Sequence, residues 1–336
     1  MKAIGFKKSL PITELESFVE FELDKPVPGD RDLLVKIKAV SVNPVDFKIR
    51  QNSAKDMVLA EPKIIGWDAV GTVESVGKSV TLFNPGDEVY YAGDLTRSGS
   101  NVEYQLVDER IVGRKPSKLS DAEAAAMPLT TLTAWEVLFD RFRIDDRDNG
   151  KTVLVLGGAG GVGSIAIQLA KKIAGLHVIA TASRPETQEW CRQMGADVVV
   201  NHYHLIDEVH AAGYKEVDFI IDLVDINGYW DIVVQLIKPQ GHIASITGSS
   251  VPIALNKLKN KSVTFSWELM YTRSMYQTDD MIEQHYILNK VAGLLDKGTL
   301  VHTLQKTFNG FTVDNLKEAH RLQESGKSIG KTVIVF

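Results

Sequence analysis

The chain has 336 residues, 44% hydrophobic and 24% charged, and this composition predicts an ordinary globular protein with room for two full cores. Its formal net charge of -5 and pI near 5.9 argue against nucleic acid or an anionic membrane as the main partner. No apolar run approaches the ~20 residues that cross a bilayer. The single cysteine, Cys191, excludes an intrachain disulfide, so we expect a cytoplasmic protein.

The first 125 residues predict a β-rich domain. Apolar runs suited to strands are separated by the turn signals Pro28-Gly29 and Pro85-Gly86, and they occur at 33–42, 69–77 and 87–93. No helical segments alternate with these strands.

From about residue 150 to 268, strands and helices alternate. The predicted strands are 152–156, 177–181, 198–201, 218–222, 242–247 and 262–267. The predicted helices lie near 162–174, 186–194, 205–212 and 227–237. This alternation predicts a parallel sheet covered on both faces, the doubly wound α/β fold that binds dinucleotides.

The end of the chain predicts helices over 279–297 and 312–325 and a terminal strand at 331–336. We therefore predict a β-rich domain built from both chain ends, residues 1–125 with 275–336. The dinucleotide-binding domain would span 126–274, and the ligand would lie in the cleft between the domains.

A glycine-rich turn follows the first predicted strand of the dinucleotide-binding domain. Gly158, Gly160 and Gly163 match the spacing G-x-G-x-x-G, and a helix begins at about Val162. This spacing allows a tight turn and a close backbone approach to a pyrophosphate, which the helix N-terminus then faces.

The second strand of that domain indicates which nicotinamide cofactor is used. Sites that prefer NAD place a carboxylate after this strand, whereas Thr181 is followed by Ala182, Ser183, Arg184 and Pro185. A hydroxyl and a guanidinium suit the 2′-phosphate of NADP(H). The alternative is that Arg184 is simply an exposed loop residue.

Histidine and cysteine are absent from residues 1–176, so that segment supplies no thiolate or imidazole ligand to zinc. A metal site could be suggested by His202, His204 and His210. No nearby residue, however, completes a set of ligands there. We therefore expect no metal.

The chain resembles the medium-chain dehydrogenase/reductase superfamily, and within it the zinc-independent, quinone-oxidoreductase-like (zeta-crystallin-like) branch. The resemblance covers nearly the whole chain and rests on Asn43-Pro44-Val45-Asp46, Gly66-Trp67-Asp68, Pro85-Gly86-Asp87, Pro128-Leu129-Thr130-Thr131, the glycine turn and Gly330-Lys331-Thr332. The stretches 138–141 and 267–274 are similar to the subgroup labelled "zinc-type alcohol dehydrogenase-like". The resemblance implies a Rossmann domain and a GroES-like catalytic domain.

Two departures from the zinc enzymes concern the metal ligands. Gly66-Trp67-Asp68 stands where those enzymes carry Gly-His-Glu, and Asn43 and Asp46 lie near the position of their cysteine ligand. Trp67 cannot ligate zinc. The resemblance thus implies the fold and cofactor use, and the departures imply that the metal is gone.

The resemblance also implies the cofactor contacts. Thr131 would lie near the nicotinamide carboxamide, and the glycine turn, with Gly161 and Val162, on the pyrophosphate. His202 would face the adenosine, and Lys331 would reach a phosphate. The edge formed by the strand ends would contribute Leu223, Val224, Thr247 and Gly248.

Without a metal to stabilise an alkoxide, hydride transfer to a quinone or an α,β-unsaturated carbonyl compound is more tractable than reduction of an isolated ketone. By analogy with the branch, Asn43 would donate to the carbonyl, Asp46 would orient Asn43 or Lys48, and Lys48 is the nearest cation. The alternative for Asp46 and Lys48 is a solvated or salt-bridged turn.

Aromatic residues would line a flat apolar substrate slot, namely Phe47, Trp67, Tyr91 and Trp267. The alternatives are core packing, favoured for Trp67, and a dimer core for Trp267.

The sequence therefore predicts a metal-independent NADPH-dependent quinone or enone oxidoreductase. Alternatives are a zinc-type alcohol dehydrogenase and an NADPH-binding sensor or crystallin-like protein with little turnover. A homodimer is expected through the apolar segment 262–274.

Overall fold

The computed structural model describes the whole chain, Met1 to Phe336. It divides into two compact units. The split unit comprises Met1–Leu132 and Tyr271–Phe336, and the inserted unit comprises Thr133–Met270. No helix has both the length and the apolar character needed to span a membrane.

Sixteen strands form three sheets. They are, in chain order, β1 (Lys2–Phe6), β2 (Val19–Glu22), β3 (Asp32–Val42), β4 (Lys63–Ile64), β5 (Asp68–Val76), β6 (Glu88–Tyr91), β7 (Tyr104–Asp108), β8 (Val112–Arg114), β9 (Thr152–Leu156), β10 (His177–Thr181), β11 (Val198–Val200), β12 (Val217–Asp222), β13 (Ile237–Ser245), β14 (Thr264–Trp267), β15 (Leu304–Asn309) and β16 (Lys331–Val335).

The α-helices are α1 (Pro44–Asn52), α2 (Asp121–Ala125), α3 (Pro128–Trp135), α4 (Gly161–Lys172), α5 (Pro185–Met194), α6 (Leu205–Ala211), α7 (Ile226–Leu236), α8 (Thr272–Tyr276), α9 (Glu283–Asp296) and α10 (Val313–Glu324). A π-helix covers Glu136–Arg141. Short 3-10 turns occur at Leu15–Ser17, Glu109–Ile111, Asp146–Asp148, His202–His204 and Leu255–Lys261.

The inserted unit is built on one parallel sheet in the order β11-β10-β9-β12-β13-β14. Strand β9, TVLVL, is buried along its whole length because it lies between β10 and β12. A core of aliphatic side chains packs α6 and α7 against this sheet. The order, with the first strand central, is that of a doubly wound fold, as the alternation of strands and helices predicted.

The split unit contains a seven-stranded sheet in the order β15-β16-β3-β5-β6-β8, with β7 also paired to β3. A three-stranded antiparallel sheet, β2-β1-β4, completes its strands. The eleven-residue strand β3 pairs with β16, β5 and β7, so it connects the two chain segments of this unit. The fold class is therefore confirmed.

Helix α1 was not predicted, because its sequence Pro-Val-Asp-Phe-Lys-Ile-Arg has no apolar stripe. It begins with Pro44, whose missing N–H costs nothing in the first turn. The carboxylate of Asp46 accepts from the backbone N–H of Asn43 at 2.5 Å, which is half of a capping box. Local capping, and not amphipathicity, therefore determines where this helix starts.

Candidate functional site

The glycine turn of the inserted unit has the shape that its sequence predicted. Gly157 adopts a φ of +83°, and Gly160 is the N-cap of α4. A Cβ on Gly163 would lie 2.3 Å from the carbonyl oxygen of Gly157, so only glycine allows this packing. Because Gly160 has no capping side chain, the first amides of α4, including those of Gly161 and Val162, are left for an anion. This cradle fits a dinucleotide pyrophosphate.

Side chains from three elements hold the turn in place. The Gly157 N–H donates to Thr181 Oγ1 at 2.9 Å, which ties the turn to the end of β10. Ser164 Oγ donates to the Gly160 carbonyl at 2.7 Å, and Trp190 Nε1 on α5 donates to Ser164 Oγ at 2.7 Å. These bonds fix the shape of the turn.

The turn after β10 carries the groups predicted for a 2′-phosphate. Ser183 is half-buried and Arg184 is the N-cap of α5. The Arg184 side chain is 40% exposed, with its Nε 3.3 Å from the exposed carboxylate of Glu186. An ion pair this exposed is weak, so the guanidinium can rearrange toward a phosphate.

The carboxyl ends of β12 and β13 are joined by a buried carboxylate that sequence reasoning missed. Asp222 accepts from Ser245 Oγ at 2.7 Å, from Thr247 Oγ1 at 2.8 Å and from the Val224 N–H at 3.1 Å. In the sequence, the only sign of this role is that Asp222 is an acid at the end of an apolar strand. Asp222 therefore holds together the segments that follow β12 and β13, which contain the predicted cofactor residues Leu223 and Thr247. Val224 and Gly248, from the same segments, are exposed.

His202 lies on the 3-10 turn after β11, and its ring lies against that of Tyr203 with centroids 4.3 Å apart and an interplanar angle of 40°. Its ring is neither buried nor part of a cluster, so an adenosine contact remains a prediction.

In the split unit, the predicted catalytic segment forms a buried polar cluster. Asn43 Nδ2 donates to Asp68 Oδ2 at 2.8 Å and to the Ser41 carbonyl at 3.4 Å. The Lys331 ammonium donates to Asn43 Oδ1, to Asp68 Oδ2 at 3.0 Å and to the Val42 carbonyl at 3.2 Å. The other oxygen of this carboxylate, Asp68 Oδ1, accepts from the backbone N–H of Leu129 at 2.7 Å. We call Asn43, Asp46, Asp68 and Lys331 the Asn43 cluster.

Asp46 is the fully buried acid of this cluster. Burial raises its pKa to about 7, and the negative charge of Asp68 acts in the same direction. The N–H of Asn43 and the charge of Lys331 oppose this rise but do not cancel it. At neutral pH this carboxyl is therefore only partly ionised.

Three of the predicted roles need correction. Asn43 is 1% exposed and both amide N–H groups have protein acceptors, so no N–H is left for a substrate carbonyl. Lys331 is 3% exposed and donates to three protein oxygens, which argues against a phosphate contact. Lys48 is exposed on α1, and the ammonium beside Asn43 is that of Lys331.

Strand pairing explains why Asp68 and Lys331 meet. Asp68 is the first residue of β5 and lies opposite Ser41 of β3, while Thr332 of β16 lies opposite Val42 on the other side. The signal in the sequence was an acid and a lysine each at the start of an apolar strand, but the pairing of those strands was not predictable.

The four residues predicted for the substrate slot lie in different surroundings. Trp67 is buried, and its Nε1 donates to the Asp94 carbonyl at 3.1 Å. Tyr91 is a core residue whose hydroxyl donates to Gln105 Oε1 at 2.9 Å, which corrects its assignment to the slot. Phe47 is half-buried in the split unit, and Trp267, in the inserted unit, is 49% exposed at the end of β14.

Thr131, predicted to lie near the nicotinamide carboxamide, is fully buried and its hydroxyl has no hydrogen-bond partner. A buried hydroxyl without a partner at a candidate site is suited to a ligand's polar group. Nowhere in the structure are three or more His, Cys, Asp or Glu side chains arranged to hold a metal ion.

Two family models match the chain, "Alcohol dehydrogenase GroES-like domain" over residues 29–117 and "Zinc-binding dehydrogenase" over residues 161–284. A zinc-type alcohol dehydrogenase-like protein of Staphylococcus aureus is 45% identical over 338 residues, which cover 99% of each chain. The NADPH-dependent alkenal/one oxidoreductase of Arabidopsis thaliana chloroplasts is 34% identical over 240 residues, covering 70% of this chain and 60% of that protein.

Among solved structures, the chain is similar to a protein from Rhizobium etli CFN 42 that carries a provisional zinc-dependent alcohol dehydrogenase name. The TM-score is 0.95 and the sequence identity 48%, over 100% of this chain and 98% of that one.

Proposed function

Because the chain belongs to the medium-chain dehydrogenase/reductase superfamily of oxidoreductases, we propose that it reduces α,β-unsaturated carbonyl compounds or quinones with NADPH and without a metal. When bound, NADPH supplies the hydride. The chain's own residues bind the dinucleotide and the acceptor and stabilise the charge that develops on the acceptor oxygen.

The glycine turn and the turn after β10 support the choice of cofactor. The cradle at Gly160 would hold the pyrophosphate. Arg184 and Ser183 would hold the 2′-phosphate, since none of the four residues that directly follow β10, 182–185, is the carboxylate that binds a free ribose hydroxyl in NAD-preferring sites. The Arabidopsis relative is named for NADPH dependence, which agrees with this choice.

The observation that carries the choice of acceptor is the Asn43 cluster. The residues near the positions of a cysteine and a glutamate in the zinc enzymes, Asn43 and Asp68, bond to one another and to Lys331. Trp67, in place of the histidine, has no atom that ligates zinc. Without a Lewis acid, reduction of an isolated ketone would leave its alkoxide poorly stabilised. A conjugated acceptor spreads the same charge into an enolate or hydroquinone, which ordinary hydrogen-bond donors can stabilise.

A steady-state assay of NADPH oxidation tests the proposal. We expect turnover of cyclohexenone and of a benzoquinone, little turnover of the saturated ketone cyclohexanone, and unchanged rates after exhaustive chelation. Activity lost on chelation and restored by zinc would instead indicate a zinc-type alcohol dehydrogenase. No turnover of any acceptor, with NADPH still bound, would indicate an NADPH-binding sensor.

A further inference from the structure

Tyr271 is a buried tyrosine whose hydroxyl has no hydrogen-bond partner. It is 2% exposed and precedes helix α8 in the split unit. Buried hydroxyl groups are nearly always bonded, because an unpaired one loses its water without compensation. The other buried tyrosines of this unit follow that rule, since Tyr90 donates to the Leu288 carbonyl and Tyr91 to Gln105. Tyr271 is therefore an exception that needs a reason.

The ring and the main chain of Tyr271 are both held by contacts within the split unit. It packs edge-to-face on Trp67, with ring centroids 6.4 Å apart and an interplanar angle of 71°. Trp67 is itself fixed by its bond to the Asp94 carbonyl. The backbone carbonyl of Tyr271 accepts from Met275 N at 2.8 Å and from Ser274 Oγ at 3.1 Å, so α8 fixes the main chain as well.

The surroundings keep this hydroxyl protonated. Burial, followed by the negative charges of Asp46, Asp68 and Asp94, raises the pKa of Tyr271 well above its ordinary value. The phenol is thus a hydrogen-bond donor at any physiological pH and never a base.

Two of these acids are partly compensated by their own surroundings. The carboxylate of Asp68 is neutralised by the Lys331 ammonium at 3.0 Å, and Asp46 is partly protonated at neutral pH. The Asn43 cluster therefore carries little net charge.

We propose that the Tyr271 hydroxyl binds the carbonyl oxygen of the acceptor and donates a hydrogen bond to the enolate oxygen that forms during reduction. This rests on the proposed function and assigns to Tyr271 the donor role that the filled amide of Asn43 cannot perform. Trp67, against which Tyr271 packs, then belongs to the wall beside the acceptor carbonyl.

The step balances without a further reagent. Hydride from NADPH forms the new C–H bond at the β-carbon, and the alkene electron pair becomes the new double bond between the α-carbon and the carbonyl carbon. The carbonyl π pair moves to oxygen, which accepts the hydrogen bond from Tyr271. Water then protonates the α-carbon, the carbonyl re-forms, and the hydroxide that is left takes up a proton from the solvent. NADPH leaves as NADP⁺, and Tyr271 keeps its proton throughout.

The test compares Tyr271→Phe with Tyr90→Phe, which removes an equally buried but bonded hydroxyl. We expect Tyr271→Phe to lower kcat for cyclohexenone by about 10- to 100-fold, as for the loss of a preorganised donor. Its Tm and its Kd for NADPH should stay near the parent values, because the lost hydroxyl has no protein partner. Tyr90→Phe should lower Tm and leave kcat unchanged.

Parent turnover of cyclohexenone with an equal kcat for Tyr271→Phe would overturn this inference and leave the proposed function standing. No parent turnover would overturn both. Fluorotyrosine at position 271 gives a second readout in case the variant unfolds. Its fluorine NMR signal should shift when the product ketone cyclohexanone is added together with NADP⁺, and not with NADP⁺ alone. An unmoved signal would contradict the contact.

Discussion

Asp46 is a fully buried acid whose negative charge is only partly compensated by its neighbours. The stability of the folded protein therefore depends on pH through this carboxyl group. Its folded pKa of about 7 lies above the ordinary value of 3.8. At low pH the carboxyl is protonated in both states, so it costs nothing. As pH rises toward 7 the unfolded chain releases the proton first, and the folded state loses stability by up to about 1.4 kcal/mol per pH unit. Above the folded pKa the cost is constant.

Asp46→Asn removes this titration while keeping an oxygen for the Asn43 N–H. Relative to the parent, the variant should gain unfolding free energy between about pH 4 and pH 7, measured by urea denaturation across that range. Asp56→Asn, which alters an exposed carboxyl, should show a flat difference. A flat difference for Asp46→Asn would mean that Asp46 is ionised in the folded protein.

Arg184 is the residue that we propose to set the preference for NADP(H). Arg184→Ala should raise Kd for NADPH by about 10-fold or more, because a charge-assisted bond to the 2′-phosphate is lost, and should leave Kd for NADH unchanged. Fluorescence titration with each cofactor measures this. Arg192→Ala, which removes an exposed guanidinium from the same helix, is the control. An equal rise in Kd for NADPH and for NADH would contradict a 2′-phosphate contact of Arg184.

Helix α4 begins with a turn in which position 163 tolerates only glycine. In Gly163→Ala the new methyl would lie 2.3 Å from the Gly157 carbonyl oxygen, so the turn must open. We expect a lower Tm and a large loss of NADPH affinity. Gly293→Ala, in α9, meets no atom within 4 Å and should raise stability by up to about 1 kcal/mol. Similar NADPH affinity for Gly163→Ala and the parent would show that the turn is not the pyrophosphate cradle.

Strand β14 ends the sheet of the inserted unit and pairs on one side only. Trp267 is 49% exposed at its end and Leu269 is 48% exposed just beyond it. An apolar open edge favours pairing with a second copy, and we propose that the protein is a homodimer through this strand. Sedimentation should find a dimer that Trp267→Glu weakens and that Val27→Glu, at an exposed apolar site of the split unit, does not. A parent monomer at micromolar concentration would contradict the proposal.

Periodicity and glycine spacing were enough to predict the parallel sheet, because its strands are continuous apolar runs. The Asn43 cluster was not predictable in this way. Asn43 and Asp68 are separated by 25 residues, and Asp68 and Lys331 by 263, so their bonds depend on which strands pair with β3. The sequence predicted Asn43 as a hydrogen-bond donor to the acceptor and Asp46 as a residue that orients it. It could not show that the Asn43 amide is already saturated, because hydrogen-bond saturation is a tertiary property.

At the scale of the whole molecule, each unit carries its own group of candidate site residues. The inserted unit has the glycine turn and the turn with Arg184, and the split unit has the Asn43 cluster. We propose that the protein reduces the conjugated double bond of an enone and not its carbonyl group.

The most direct test follows the hydride itself. The enzyme is given cyclohexenone and NADPH that carries deuterium at the transferable position, and the product is analysed by NMR. We expect cyclohexanone with deuterium on the former β-carbon. Deuterium on the carbinol carbon of cyclohexenol would show carbonyl reduction of the alcohol dehydrogenase type and would contradict the proposal.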